Sequence, residues 1–465
     1  MKKFKKQNLT KVALFTGAAA LMSLAPQSQA QSSDALIDKL VDKGILTVKE
    51  AQDLRDEADK NFTTAFQTKT GMPDWVTGYK LSGDVRGRFE GFYGDNPLFT
   101  DRNRLRYRVR FGIAATLLDD FEVGFRLTSD EVASGGANNE GDPISGNTTF
   151  QNNGSKKLIY FDQAYGKWTP FKGPDLTGSF ILGKMENPFV FSDLIFDPDY
   201  TPEGAATQFG YVFNDKHSLK FNAGYFVLDE LSASSQDPYL LGAQVRWDAA
   251  WSPKLSSTLG GAYLNLQNDS TLNVANVPNI NRGNTRLGGA GALAYQYHPL
   301  VVDASVTYML DSAPFYAGAF PIKVGGDYIN NFGAPSSGND PFGNPIDNYG
   351  YSLGVTFGKS GKKNTWDLSY TYKWLGANAW WEELVDSDFG AFYAGTLPNS
   401  GSGLGYGAGT NVKGHVVRFA YSPSDSLTLS IKWFLTDLIT QSAVVAPATP
   451  ASSMSRVQVD AAWKF

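Results

Sequence analysis

The chain has 465 residues, with 41 Lys plus Arg against 46 Asp plus Glu. Apolar residues make up 42%, and 31 Phe, 22 Tyr and 48 Gly stand beside six Met and no Cys. The missing cysteine excludes a disulfide framework, cysteine-ligated metal sites and cysteine catalysis, and the acidic balance argues against a nucleic-acid partner.

Residues 1–30 carry lysines at 2, 3, 5, 6 and 11, an apolar run from Val12 to Leu24, and small residues up to Ala30. This is the layout of a secretory signal peptide cut after about Ala30. The run is short for a membrane helix of about 20 residues, so a membrane protein built from this chain must cross by other means. Residues 31–74 read as a periplasmic helical segment and linker. Leu36, Ile37, Leu40 and Val41 share one helical side, and Thr47 with Glu50 forms a capping box before Val48, Ala51, Leu54 and Ala58.

After residue 75 the hydrophobic period changes from 3.6 to 2. Tyr79, Leu81, Val85, Phe89 and Tyr93 alternate with Lys80, Asp84, Arg86, Arg88 and Glu90. In the next segment Leu105, Tyr107, Val109, Phe111 and Ile113 alternate with Arg104, Arg106, Arg108 and Arg110. Same-face residues of a strand lie roughly 6.8 Å apart. The arginines therefore form a ladder that wants water, anions or acidic partners beside it. Comparable strands recur at 121–128, 219–227, 241–247, 255–263, 302–310, 366–374 and 427–435.

Connections differ by side. Those at 118–120, 214–216, 358–364 and 422–425 are short, whereas 129–157, 186–204, 267–285, 331–347, 376–410 and 438–454 are long. Short turns on one side and long loops on the other are the pattern of a transmembrane antiparallel β-barrel. The fold class is thus all-β, with residues 75–465 forming the barrel and a short helical segment before it. Consistent sidedness gives sixteen strands once either 287–297 or 320–330 is placed in a loop, and 287–297 is preferred because Phe320–Val324 resumes regular alternation; eighteen is the alternative count. A barrel of this size is too wide for side chains to fill and should hold water.

The last strand alternates Val457, Val459, Ala461, Trp463 and Phe465 with Arg456, Gln458, Asp460 and Lys464. A terminal aromatic there resembles the assembly signal of bacterial outer-membrane proteins. ALIDKLVDKGILTVKEAQDLRDE, GYKLSGDVRGRFEGFY with RNRLRYRVRFG, KSGKKNTWDLSYTYKWLGANAWWEELVDSDFGAFY and VQVDAAWKF together resemble the putative porin family of Gram-negative outer membranes. The resemblance implies a water-filled channel passing small hydrophilic solutes by diffusion. It also implies a homotrimer, contact with outer-membrane lipid and lipopolysaccharide, and delivery by the barrel-assembly machinery. An adhesin or binding barrel without an open pore is the alternative.

Arg86, Arg88, Arg104, Arg106, Arg108, Arg110 and Arg126 face one way and form a candidate pore-lining basic wall, which biases permeation toward anions. Asp84, Glu90 and Glu122 lie on the same face and offset part of that charge. Glu186, Asp193, Asp197, Asp199 and Glu203 sit in the third long loop. In general porins that loop folds into the channel, so resemblance makes them candidate constriction acids; an outward loop, or calcium at Asp197, Asp199 and Glu203, stays open. Glu382, Glu383, Asp386 and Asp388 read as a solvated loop. His217, His298 and His415 are far apart, with no HExxH or G-x-S-x-G motif, so neither an enzyme nor a cofactor is expected.

Overall fold

The computed structural model describes residues 73–133, 140–279, 283–287, 291–393, 405–440 and 451–465. The expected signal peptide and nearly all of the expected helical segment lie outside the described residues.

Sixteen long strands pair in an antiparallel ring. In chain order they are β1 Val76–Gly94, β2 Arg102–Leu117, β3 Phe121–Asp130, β4 Leu158–Lys172, β5 Leu176–Lys184 and β6 Glu203–Asn214. Next come β7 His217–Val227, β8 Tyr239–Ser252, β9 Leu255–Gln267, β10 Pro299–Leu310 and β11 Phe320–Asn331. The ring is completed by β12 Tyr349–Gly358, β13 Thr365–Leu375, β14 Val412–Ser422, β15 Leu427–Leu438 and β16 Met454–Lys464. Each strand pairs with its neighbours in sequence, and β1 pairs with β16 to close the barrel, placing Val85 opposite Trp463 and Phe89 opposite Val459. Closure removes the free edges that an open sheet would expose, which is what a membrane interior demands of backbone polar groups.

Alternation decides which residues face out. Leu105 is 52% exposed, whereas the side chains of neighbouring Arg106 and Arg108 are 11% and 9% exposed on the inner face. The outer surface carries Val109, Phe111, Val123, Phe125, Val306, Leu353 and Ile431. Among the described residues of the fifth loop, Arg286–Leu287 pairs with Ala292–Leu293 in a small sheet of its own, outside the ring, so sixteen is the count.

β2 runs past the end of β3, whose partners on β2 stop at Arg110. The second loop covers the uncovered stretch by pairing Thr148 and Thr149 with Tyr107 and Arg106. At the root of the third loop, Gly183 of β5 faces Gly204 of β6 with φ of +116° and +151°. A Cβ on either would meet a neighbouring strand's carbonyl oxygen within 2.4 Å, so only glycine fits this loop's entry and exit.

The loop end of the barrel is not an empty water column. Phe189, Leu194, Ile195, Phe196 and Tyr200 of the third loop pack with Leu272, Val277 and Tyr297 of the fifth and with Trp380, Trp381, Leu384 and Val385 of the seventh. Phe226, Leu240, Leu264, Val301, Ile329 and Leu375, at the loop ends of their strands, complete this core. Strand side chains alone cannot reach across such a barrel. Folded-in loops can, and at this end they narrow the interior.

Candidate permeation site

The inward face of β1 to β3 carries all seven arginines of the expected wall, and most are paired. Arg88 makes a fork with Asp460 at 2.7 and 2.8 Å and also reaches Asp388 at 3.2 Å. Arg104 donates to Glu90 at 2.5 Å, while Arg106 lies 3.9 Å from Glu90 and 3.8 Å from Glu131. Arg108 and Arg110 share Asp84, at 3.1 and 2.6 Å. Arg126 pairs with Asp162. Arg86 donates to the amide oxygen of Asn147 at 2.7 Å.

The five acids of the third loop go to different places. Asp199 accepts from Arg108 at 2.8 Å and Arg110 at 3.2 Å. Asp193 pairs with Lys373 of β13 at 2.7 Å and lies 3.8 Å from Lys432 of β15. Asp197 turns to backbone, accepting from the N–H groups of Ser387 and Asp199, each at 2.8 Å. Glu186 lines the chamber beneath the loop, and Glu203 bonds Lys184 at 3.0 Å. Among the described residues, no group of three or more His, Cys, Asp or Glu is placed to hold a metal ion.

The seventh loop overturns one expectation. Glu382, Glu383 and Asp386 are buried rather than solvated. Trp380 and Trp381 bring the segment inward, where Trp380 donates to the Ile195 carbonyl at 2.9 Å and the Asp197 N–H donates to the Leu384 carbonyl at 2.8 Å. Cations outside the loop compensate three of its acids, while Glu383 accepts the Asn279 N–H at 3.2 Å. Glu382 meets Arg286 at 2.6 Å, Asp386 meets Lys373 at 2.9 Å, and Asp388 meets Arg456 at 2.6 Å. The third and seventh loops therefore form one packed unit inside the barrel.

Two chambers meet at this unit. Beneath it lies a space of about 650 Å³ where Arg86, Arg88, Arg108, Arg110, Arg126, Arg418 and Lys432 stand among Glu186, Asp193, Asp197, Asp199, Asp386, Asp388 and Asp460. Above it lies a space of about 690 Å³ whose walls are acidic, with Asp130, Glu140, Asp142, Glu203, Asp229, Glu230 and Glu383 facing Lys184. Asp199, Tyr200 and Thr201 line both, so this short stretch of the third loop separates them. A third space, of about 260 Å³, lies against Arg246, Asp303, Lys323 and Asp327 on the other flank of the loop.

Residues 96–285 match the family model described as putative porin. That match spans less than half of the chain and makes this stretch similar to putative porins. None of the curated proteins matches the chain. Among solved structures it is similar to the outer membrane channel DcaP of Acinetobacter baumannii at 13% identity, over 83% of this chain and 97% of that one, with a TM-score of 0.41. It is also similar to Pseudomonas putida OprB at 12% identity, over 88% and 97%, with a TM-score of 0.49. A loop-deleted OmpT of Vibrio cholerae shares 10% identity over 83% and 99%, with a TM-score of 0.41.

The acids that anchor the barrel's loops give their packing a pH dependence. Burial alone would raise the Asp193 carboxyl, but Lys373 and Lys432 outweigh it and hold the group down from 3.8 to about 2. Burial likewise opposes charge on Asp199 and Asp388. Arg108 and Arg110 keep the first low, and Arg456 and Arg88 keep the second well below the usual range. Groups held low in the folded state stabilise it fully above their ordinary value and lose that contribution as pH falls toward the folded value. Burial, with Asp199 and Asp386 nearby, pushes Asp197 up; its preference for the packed loop fades as pH rises from the ordinary value through the raised one. Between neutral pH and about 4 the three low carboxylates keep their full contribution. Single-channel current noise should grow as pH falls from about 4 toward 2; current equally quiet throughout would contradict this anchoring.

Proposed function

We propose that the chain is an outer-membrane porin that passes small hydrophilic solutes by passive diffusion through the water left between its packed loops and its charged inner wall, with a bias toward anions on the inner side. The observation that carries this reading is the pair of polar chambers meeting at Asp199–Thr201. A solute crossing there runs between carboxylates and guanidinium groups, whose combined field orders it and excludes apolar molecules. The inner chamber carries acids as well as arginines, so the bias is local rather than the broad basic wall that the ladder alone suggests. Assembly as a homotrimer in lipopolysaccharide-rich membrane, and recognition of β16 by the barrel-assembly machinery, belong to the same reading.

Single-channel recording of detergent-purified protein in planar bilayers tests it. Stepwise ohmic conductance is expected. A closed lumen with tight binding at the long loops would instead favour the adhesin reading. In a salt gradient, replacing Arg106 and Arg108 together with glutamine should move the reversal potential toward cation selectivity, because two positive charges leave the wall while Glu90, Asp84 and Asp199 each lose one of their cationic neighbours. An unmoved reversal potential would remove these two arginines from the selectivity account.

A further inference from the structure

Arg86 stands apart from the other wall arginines because of strand register. On β16 the inward residues facing β1 are Lys464, Ala462, Asp460 and Gln458, opposite Asp84, Arg86, Arg88 and Glu90 respectively. Arg88 therefore meets Asp460, whereas Arg86 meets the methyl group of Ala462. On its other flank β2 presents arginines, and the nearby acids are already engaged: Asp84 with Arg108 and Arg110, and Asp199 with the same two. Among the described residues, Arg86 is the wall arginine with no carboxylate within salt-bridge distance. Its Nη2 has the neutral amide oxygen of Asn147, and its Nε has no partner.

A confined guanidinium without a counter-charge is costly, and a small oxyanion is its natural complement because the planar fork matches carboxylate and phosphate oxygens. The space for one exists. Arg86 opens onto the chamber of about 650 Å³ that Ala462, Thr428 and Ser430 also line. Ala462 leaves room there that a longer side chain would take, and the two hydroxyls are neutral donors suited to the remaining anion oxygens.

We propose that Arg86 is an oxyanion-binding subsite of the lumen, taking the carboxylate or phosphate group of a permeating solute. The inference deepens the channel reading and, as far as permeation goes, rests on it. It places the anion preference at one step beside Ala462 rather than along the whole ladder. The other arginines hold loops and strands together through their carboxylates, and Arg86 is left to meet the solute.

The test uses the full detergent-solubilised protein with two probes, inorganic phosphate followed by phosphorus NMR line broadening and acetate followed by competition against it. Arg86→Gln should weaken binding of both by about tenfold or more, the loss expected of one charge-assisted contact. Arg86→Lys, which keeps the charge but loses the fork, should weaken it by less than Arg86→Gln. Lys254→Gln, in a short turn where the lysine pairs with Asp311, should leave binding unchanged. Equal binding by the unmodified and Arg86→Gln proteins overturns the assignment, as does absence of binding by the unmodified protein. Arg86→Lys provides the comparison if Arg86→Gln fails to fold. Bilayer conductance separates the two levels of the account: an Arg86-dependent phosphate site in a protein that does not conduct supports the subsite and overturns the channel reading.

Discussion

Replacing Trp380 with alanine should release the loops inside the barrel and raise single-channel conductance, with more current noise. Trp380 is fully buried, packs edge-on against Phe196 at 5.9 Å and Tyr297 at 6.5 Å, and donates its indole N–H to the Ile195 carbonyl. It thus touches the third and fifth loops from the seventh. Truncating a buried tryptophan costs roughly 3–5 kcal/mol, which shifts the balance between packed and loosened loops by roughly two to four powers of ten. The barrel should survive, because its strands pair around the whole ring without help from this residue. Heat-modifiable electrophoretic migration should therefore stay as in the unmodified protein. Conductance unchanged in a properly folded Trp380→Ala protein would mean that the packed loops do not set the width of the passage.

Glu382→Ala should be as damaging, for an electrostatic reason. Glu382 and Arg286 are both buried and lie 2.6 Å apart, and the second carboxylate oxygen accepts the Asn284 N–H at 2.7 Å. Removing one partner of a buried pair leaves the other charge without compensation, at a cost of about 3–5 kcal/mol. Hydrogen exchange across residues 376–393 should accelerate strongly, while exchange in the barrel strands stays slow. The double change Arg286→Met with Glu382→Leu removes both charges and keeps apolar volume, so it should restore much of the protection. A double variant as labile as Glu382→Ala alone would show that the ion pair is not what holds this segment.

The barrel was legible because its signal is local. Leu105 to Ile113 alternate with four arginines within one strand, and no distant contact is needed to see which face is polar. Strand count followed from sidedness, and the regular alternation from Phe320 to Val324 assigned that segment to a strand and 287–297 to a loop. The partners of the wall arginines were less accessible. Asp84 and Glu90 could be read from the alternation of β1, and Arg456 and Asp460 from that of β16, but their pairing with β1 depends on ring closure between chain ends. The seventh loop was misread because Glu382, Asp386 and Asp388 find their cations on the fifth loop, β13 and β16. The adjacent Trp380 and Trp381 were the signal available: two large aromatics beside four acids cannot all be satisfied in open water. The third loop's acids were found as residues, but which of them reaches the arginines is set by the glycine pair Gly183–Gly204 and by packing around Phe196.

The central claim is that hydrocarbon bathes one face of each strand and water the other. The chain contains no cysteine, so single cysteines can be introduced and spin-labelled without background. Labels at Leu105 and Val123, on the outward face, should collide with molecular oxygen concentrated in the bilayer and be shielded from a water-soluble nickel chelate. Labels at Ser430 and Thr356, which line the inner chambers, should show the reverse. Nickel access at Leu105 and Val123 together with oxygen-rich, nickel-shielded behaviour at Ser430 and Thr356 would contradict the account.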